Sequence, residues 1–232
     1  MAAMAGELNV SDTPCYGSPN PHMLGKEMPM RLIIALVVFA VAAFAPSLRA
    51  AETSAQTVVQ SLHDALLDIM QASDALGFDG RRDYLEPVMG EVFDIPVIAR
   101  ASIGSHWRKA TNAEKQRLVD VVTRLSVSTY AARFDGFSGE SFRIVSEEPA
   151  PRGTRLVGTE IVRTDDEPVR LDYLVRESND GWRIVDVYLD GIYSELALRR
   201  ADYASTLNAS GFHGLVVQLE KKIAAIETAA KE

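Results

Sequence analysis

Residues 51–232 are predicted to form one α+β domain, a four-stranded antiparallel twisted sheet packed by several helices into a cone around an apolar cavity. Three observations predict it. Helical periodicity dominates residues 53–134; four alternating segments follow between residues 140 and 190; two further helical segments close the chain. No internal repeat and no linker divides this order.

The first helix is expected over residues 53–76, where Val58, Val59, Leu62, Leu66, Ile69 and Met70 fall on one stripe and Gly77 supplies a stop. Residues 81–109 should be short helical pieces broken at Pro87, Gly90, Pro96 and Gly104, with Asp94 as an N-cap for Ile95 onward. Thr111 and Glu114 spell a capping box that opens a long helix to about Phe134. Its apolar set, Leu118, Val121, Val122, Leu125, Tyr130 and Phe134, is wider than a surface stripe, so this helix should be embedded on more than one side.

Four strands are expected at 140–147, 154–163, 168–177 and 181–190, joined by the turn-forming runs PAPRG, DDEP and NDG. Alternation sets Val169, Leu171, Tyr173 and Val175 against Arg170, Asp172, Leu174 and Arg176 in the third strand. In the fourth it sets Trp182, Ile184, Asp186 and Tyr188 against Val185, Val187 and Leu189. The fourth strand is thus apolar on both sides apart from Asp186, which predicts partial cover on both faces. Two closing helices are expected at 193–208 and 212–229, punctuated by Gly211 and Gly214.

The first fifty residues of the 232 do not read as part of this domain. Residues 1–30, rich in Pro, Gly and Asn, read as a disordered extension or as sequence ahead of the true start. Arg31 then precedes fourteen unbroken apolar residues, Leu32 to Ala45, and a short tail to Ala50; residues 31–50 read as a secretory signal cleaved after Ala50, or retained as an inner-membrane anchor. Export implies the periplasm. The one cysteine, Cys15, lies in the extension, so residues 51–232 offer no disulfide, thiol nucleophile or thiolate metal site. The net charge of −8 makes nucleic acid and anionic membrane surfaces poor partners.

No catalytic residue set, metal site or cofactor motif emerges. HExxH, GxSxG, GxxxxGK[ST] and GxGxxG are all absent, and His63, among Leu62, Leu66 and Leu67, has no second histidine at ligand spacing. Asp186 and Asp190 lie two pleats apart, roughly 13 Å, too far to share a proton. Asp186 has two readings: a buried carboxylate satisfied by local donors, or a polar group at the mouth of an apolar cavity. Aromatic residues are numerous in the central body, and helices broken by Pro and Gly over a sheet face are a simple way to leave a hollow core.

Three stretches carry a family resemblance: ASIGSHWRKATNAEKQRLVDVVTRLSVSTYAARF, PVRLDYLVRESNDGWRIVDVYLDGIYS and LNASGFHGLVVQLEKKI. Their order resembles the MlaC-like, toluene-tolerance type of periplasmic lipid-binding proteins over nearly all of residues 55–226. More narrowly, FDIPVIARASIGSHWR and DVYLDGIYSELALRR resemble the hopanoid-biosynthesis-associated HpnM branch; DGIYSELALRR stands where the family has EGVS.

The resemblance implies a carrier that holds acyl chains of a phospholipid or hopanoid in an apolar pocket and shuttles them between membrane complexes. The implied partners are an inner-membrane transporter of ABC/MCE or RND type and an outer-membrane lipoprotein complex. Periodicity then offers a candidate wall of Phe93, Ile98, Ile103, Trp107, Val121, Leu125 and Tyr130 from the helices. Phe142, Tyr173, Val175, Ile184, Tyr188, Ile192 and Tyr193 would come from the sheet and its last turn. Arg199 and Arg200 are candidates for a headgroup or a partner. Two rival readings use the same cone: an NTF2-like enzyme built on Asp186 with Tyr188 or His106, and an adaptor that docks on a membrane transporter without binding lipid.

Overall fold

Ser54 opens the first helix, α1 (Ala55–Gln71), by accepting the Thr57 N–H at 3.1 Å. The structure is a computed structural model and describes residues 54–232 except Asp165, so the expected extension and signal segment lie outside the described residues. All six residues of the predicted α1 stripe are buried. The helix nevertheless stops at Gln71, six residues before the glycine expected to end it. Gly77 instead adopts φ 57° inside the second helical stretch, α2 (Ser73–Val92).

Pro87 and Gly90, expected as breaks, both lie within α2. Pro87 removes one backbone bond, to exposed Asp83, while Phe78, Leu85, Met89 and Val92 bury one face; packing on that face outweighs the local cost. Asp94 caps α3 (Ile95–Ile103), accepting the Val97 N–H at 3.1 Å and the Arg176 Nη2 at 2.7 Å. After a 3₁₀ turn, Gly104–Arg108, the capping box forms as predicted: Thr111 N–H donates to Glu114 Oε2 at 2.8 Å and Glu114 N–H to Thr111 Oγ1 at 3.2 Å. It opens α4 (Asn112–Arg133), which packs against α2, α3 and the last helix and is therefore embedded on several sides.

The sheet is an antiparallel meander of five strands: β1 (Ser141–Ala150), β2 (Thr154–Val162), β3 (Val169–Ser178), β4 (Gly181–Leu189) and β5 (Tyr193–Ser194). The fifth, two-residue strand takes the place where the final helix was expected to begin. Asp190 and Gly191, at φ 53° and 67°, make the turn into it, with Ile192 N–H donating to the Leu189 carbonyl at 3.0 Å. Both central residues left-handed is the hairpin geometry that Asp-Gly favours.

A β-bulge corrects the predicted faces of β4. Leu174 pairs with Asp186, but the next pair is Val175 with Ile184, leaving Val185 without a partner. The alternation therefore reverses at Val185. Trp182, Ile184, Val187 and Leu189 share the inner face, while Asp186 and Tyr188 share the outer one. The two-sided apolar pattern of β4 reflects this reversal, and part of the outer face is covered as expected, Asp172 and Asp186 being buried there. The edge of β4 is occupied at one end by β5 and at the other by Phe93–Asp94, where Asp94 N–H donates to the Ile184 carbonyl at 2.9 Å.

The last helix, α5 (Glu195–Ala229), is broken at Gly211 (φ 65°) as predicted. Its halves fold back on each other: Gln218 Nε2 donates to Asp202 at 3.4 Å, although sixteen residues of straight helix would separate them by about 24 Å. Under the centre of the sheet the core is solid, with Val157, Tyr173, Val175, Ile184, Leu62 and Leu66 fully buried.

Candidate functional site

Open space lies at one end of the sheet, where α4 runs out, β4 turns into β5 and α5 begins. Ser194 caps α5 by accepting the Ala197 N–H at 2.9 Å and donates its own hydroxyl proton to Asp186 at 2.5 Å. Asp186 also accepts the N–H groups of Val187 at 2.8 Å and Leu196 at 3.0 Å. These three donors tie the bulged strand to the start of the helix and fix Glu195 over the end of the sheet.

Three adjoining cavities meet at Glu195. One of about 490 Å³ lies between α4 and the two halves of α5; Leu125, Thr129, Ala132, Leu198, Tyr203 and Ile226 line it. A second, about 200 Å³, sits on the inner sheet face against Phe134, Ile161, Val169, Leu171, Val187 and Leu189. The third is a crevice of about 20 Å³ among Phe93, Ile98, Tyr130 and Val185. Leu189 and Arg133 belong to the first two, Tyr130 and Val187 to the second and third.

Charged groups line this space at several places: Asp186 in the crevice, Asp202 and Lys222 in the larger cavity, and Glu195 where all three meet. Glu195 is paired with Arg133 at 3.5 Å and with Arg199 at 3.2 Å, and Arg199 also donates to Ser126 Oγ at 3.3 Å. Burial pushes the hydroxyl pKa values of Tyr130 and Tyr203 up, so both keep their protons at neutral pH. Such a wall can hold a long apolar group with one polar end. Among the described residues no cluster of three or more His, Cys, Asp or Glu is arranged to hold a metal.

The candidate wall residues separate into three sets. Phe93, Ile98, Leu125 and Tyr130 line the cavities, and Arg199 lines two of them. Ile103, Val121, Tyr173, Val175 and Ile184 are filled core; Phe142 stacks on the His63 ring at 4.4 Å; Trp107 packs on the core edge under Lys115. The rest fall outside: Tyr188 is on the outer sheet face, Ile192 and Tyr193 are 72% and 58% exposed in the last turn, and Arg200 lies over Gly104. The bulge moves Tyr188, and the tight Asp-Gly turn leaves Ile192 and Tyr193 exposed.

Sequence reading missed Glu195, Arg133, Tyr203, Leu171 and Leu189. The four-residue spacing of Glu195 and Arg199 was a usable signal for a helix-surface ion pair. Nothing local announced that Arg133, from another helix, would reach the same carboxylate.

A sequence model of the family described as MlaC protein matches residues 60–221. Among solved structures, a phospholipid-binding protein from Ralstonia solanacearum, determined in complex with a phospholipid, is similar in fold: the TM-score is 0.67 at 21% identity, covering 75% of this chain and 99% of that one. No curated protein matches the chain in sequence.

Proposed function

This chain belongs to the MlaC family, and on that premise we propose that it is a periplasmic lipid carrier, which takes the acyl chains of a phospholipid into the cavities around Glu195 and passes them between membrane complexes. The observation that carries the reading is the set of adjoining cavities with largely apolar walls and a charged rim between α4, α5 and the sheet end, in a fold shared with a protein whose structure holds a phospholipid. Desolvating an acyl chain of ordinary length is worth on the order of 10 kcal/mol, so a carrier needs enclosed apolar space to match the bilayer it draws from. An inner-membrane transporter and an outer-membrane lipoprotein complex are the partners such a shuttle requires, with an RND-type transporter in their place if the ligand is a hopanoid.

Asp186 supports this reading over the enzyme built on it. Its carboxylate accepts from two backbone N–H groups and a serine hydroxyl, and His106 lies on the 3₁₀ turn, away from the cavities.

Blocking the space tests the proposal. Ala132→Trp fills the larger cavity and Val169→Trp the smaller. Wild-type protein should draw a fluorescent phospholipid out of vesicles, and the double variant should lose most of that uptake with an unchanged circular dichroism spectrum. Undiminished uptake by a folded double variant would overturn the assignment of the site.

A further inference from the structure

The turn after β4 carries an apolar cluster into solvent. Among the described residues six large apolar side chains are exposed, and three of them, Ile192, Tyr193 and Leu198, fall within residues 192–198. Apolar residues scattered singly over a surface are ordinary, but a group of them needs a cause. Ser194 is the N-cap of α5, so Tyr193 and Leu198 occupy the N′ and N4 positions, which lie side by side at a helix start. Even so they remain 58% and 55% exposed, and Ile192 beside them is 72% exposed.

The backbone holds this cluster outward. Asp190 and Gly191 are both left-handed, Ile192 N–H donates to the Leu189 carbonyl at 3.0 Å, and Asp190 N–H donates to the Arg170 carbonyl at 3.0 Å. The turn is thus pinned to its own strand and to β3, and it presents Ile192 at its tip instead of folding it onto the core. Leu198 belongs to two surfaces at once, since it also lines the larger cavity. The exposed cluster is therefore continuous with the wall of the site, and an acyl chain leaving over Leu198 meets apolar surface at the rim.

Size and charge choose what covers the cluster. Its three side chains expose on the order of 400 Å², about half of the roughly 800 Å² that each partner of a stable protein pair buries, and they stand on a turn rather than a flat face. Around them Arg170 and Arg200 are set against Asp190 and Asp202, all four exposed, so the surroundings are balanced in a chain that carries −8. A lipid interface does not repel such a patch, and it accepts an aliphatic anchor beside a tyrosine ring at headgroup depth. We propose that Ile192, Tyr193 and Leu198 dock the domain directly on a lipid bilayer, with the mouth of the larger cavity facing the membrane. The inference rests on the carrier reading and adds the surface through which lipid enters and leaves. The contact is apolar and shallow, so it does not depend on anionic lipid.

Residues 51–232 contain no cysteine, so a single introduced thiol can be labelled alone. Ile192→Cys and, as a control, Glu148→Cys on β1 at the opposite edge of the sheet are labelled with an environment-sensitive nitrobenzoxadiazole dye and mixed with phosphatidylcholine vesicles. The label at position 192 should brighten about twofold and keep doing so in about 0.5 M NaCl, while the label at position 148 does not respond. Without label, Ile192→Ser/Tyr193→Ser should cosediment with the vesicles about tenfold more weakly, yet still take up N-phenylnaphthylamine, a neutral fluorescent probe of apolar cavities. Brightening of neither label, or of both equally, overturns the docking surface, and the first of these leaves a protein partner to cover the turn. Loss of the signal in salt marks ionic adsorption and overturns it as well, as does unchanged cosedimentation of the double variant. The probe separates the two readings: wild-type protein that takes up the probe but ignores vesicles loses only the docking surface, whereas folded wild-type protein that takes up no probe loses the carrier reading itself.

Discussion

The imidazole of His63 is stacked on Phe142 at 4.4 Å, with Nε2 3.3 Å from the Tyr173 hydroxyl, and it has no exposed surface. Desolvation lowers its pKa from 6.5 to about 4, against a small opposing pull from Asp64. Below pH 6.5 the unfolded chain takes up a proton that the folded core refuses. Stability should therefore fall as pH drops from 6.5 to 4, by on the order of 3 kcal/mol. Urea midpoints across that range should decline in the wild type and decline less in His63→Gln; parallel slopes would contradict this account of the core. Asp186 poses the opposite case, a buried carboxylate with three donors. Asp186→Ala strands the Val187 and Leu196 N–H groups and should cost about 3 kcal/mol in urea unfolding. Asp186→Asn should cost less and leave lipid uptake intact, whereas loss of uptake in a folded Asp186→Asn variant would favour the catalytic reading.

At the scale of elements, legibility followed locality. The α1 stripe, the Asp94 cap, the Thr111–Glu114 box, the meander and the Gly211 break all depend on residues a few positions apart, and all appeared in the sequence. What failed depended on tertiary balance. Pro87 is tolerated because α2 buries a face against its neighbours, and the bulge at Val185 exists because β4 must meet both β3 and the Phe93–Asp94 edge. One bulge moved Tyr188 to the outer face and Val187 and Leu189 to the inner one, so the latter two and not Tyr188 line the cavities around Glu195. The turn after β4 gives the sharpest test. Gly191 has φ 67°, and a Cβ there would lie 2.8 Å from Arg170 Nε and 3.1 Å from Asp172 Oδ2. Gly191→Ala should therefore lower stability by about 1–2 kcal/mol in thermal or chemical melts. An unchanged melting curve would mean that the turn is not held in this geometry.

At the scale of the whole domain, the described sheet and helices do not enclose one central hollow. The centre is packed solid, and the cavities with the most apolar lining lie at the end where α4, β4 and the first half of α5 converge on Glu195. That placement follows from chain order: a helical lead-in fills the inner sheet face, and only the last helix, returning over the open end after the meander, leaves space beneath it. The fold class and the family were readable from the chain. The position of the site was not, because it depends on how helices distant in sequence converge. The most direct measurement is mass spectrometry of lipids extracted from residues 51–232 expressed in a bacterium and purified without detergent. The account predicts a phospholipid in about equimolar amount with the folded protein. Folded protein free of lipid would contradict the carrier reading and shift the evidence to an adaptor.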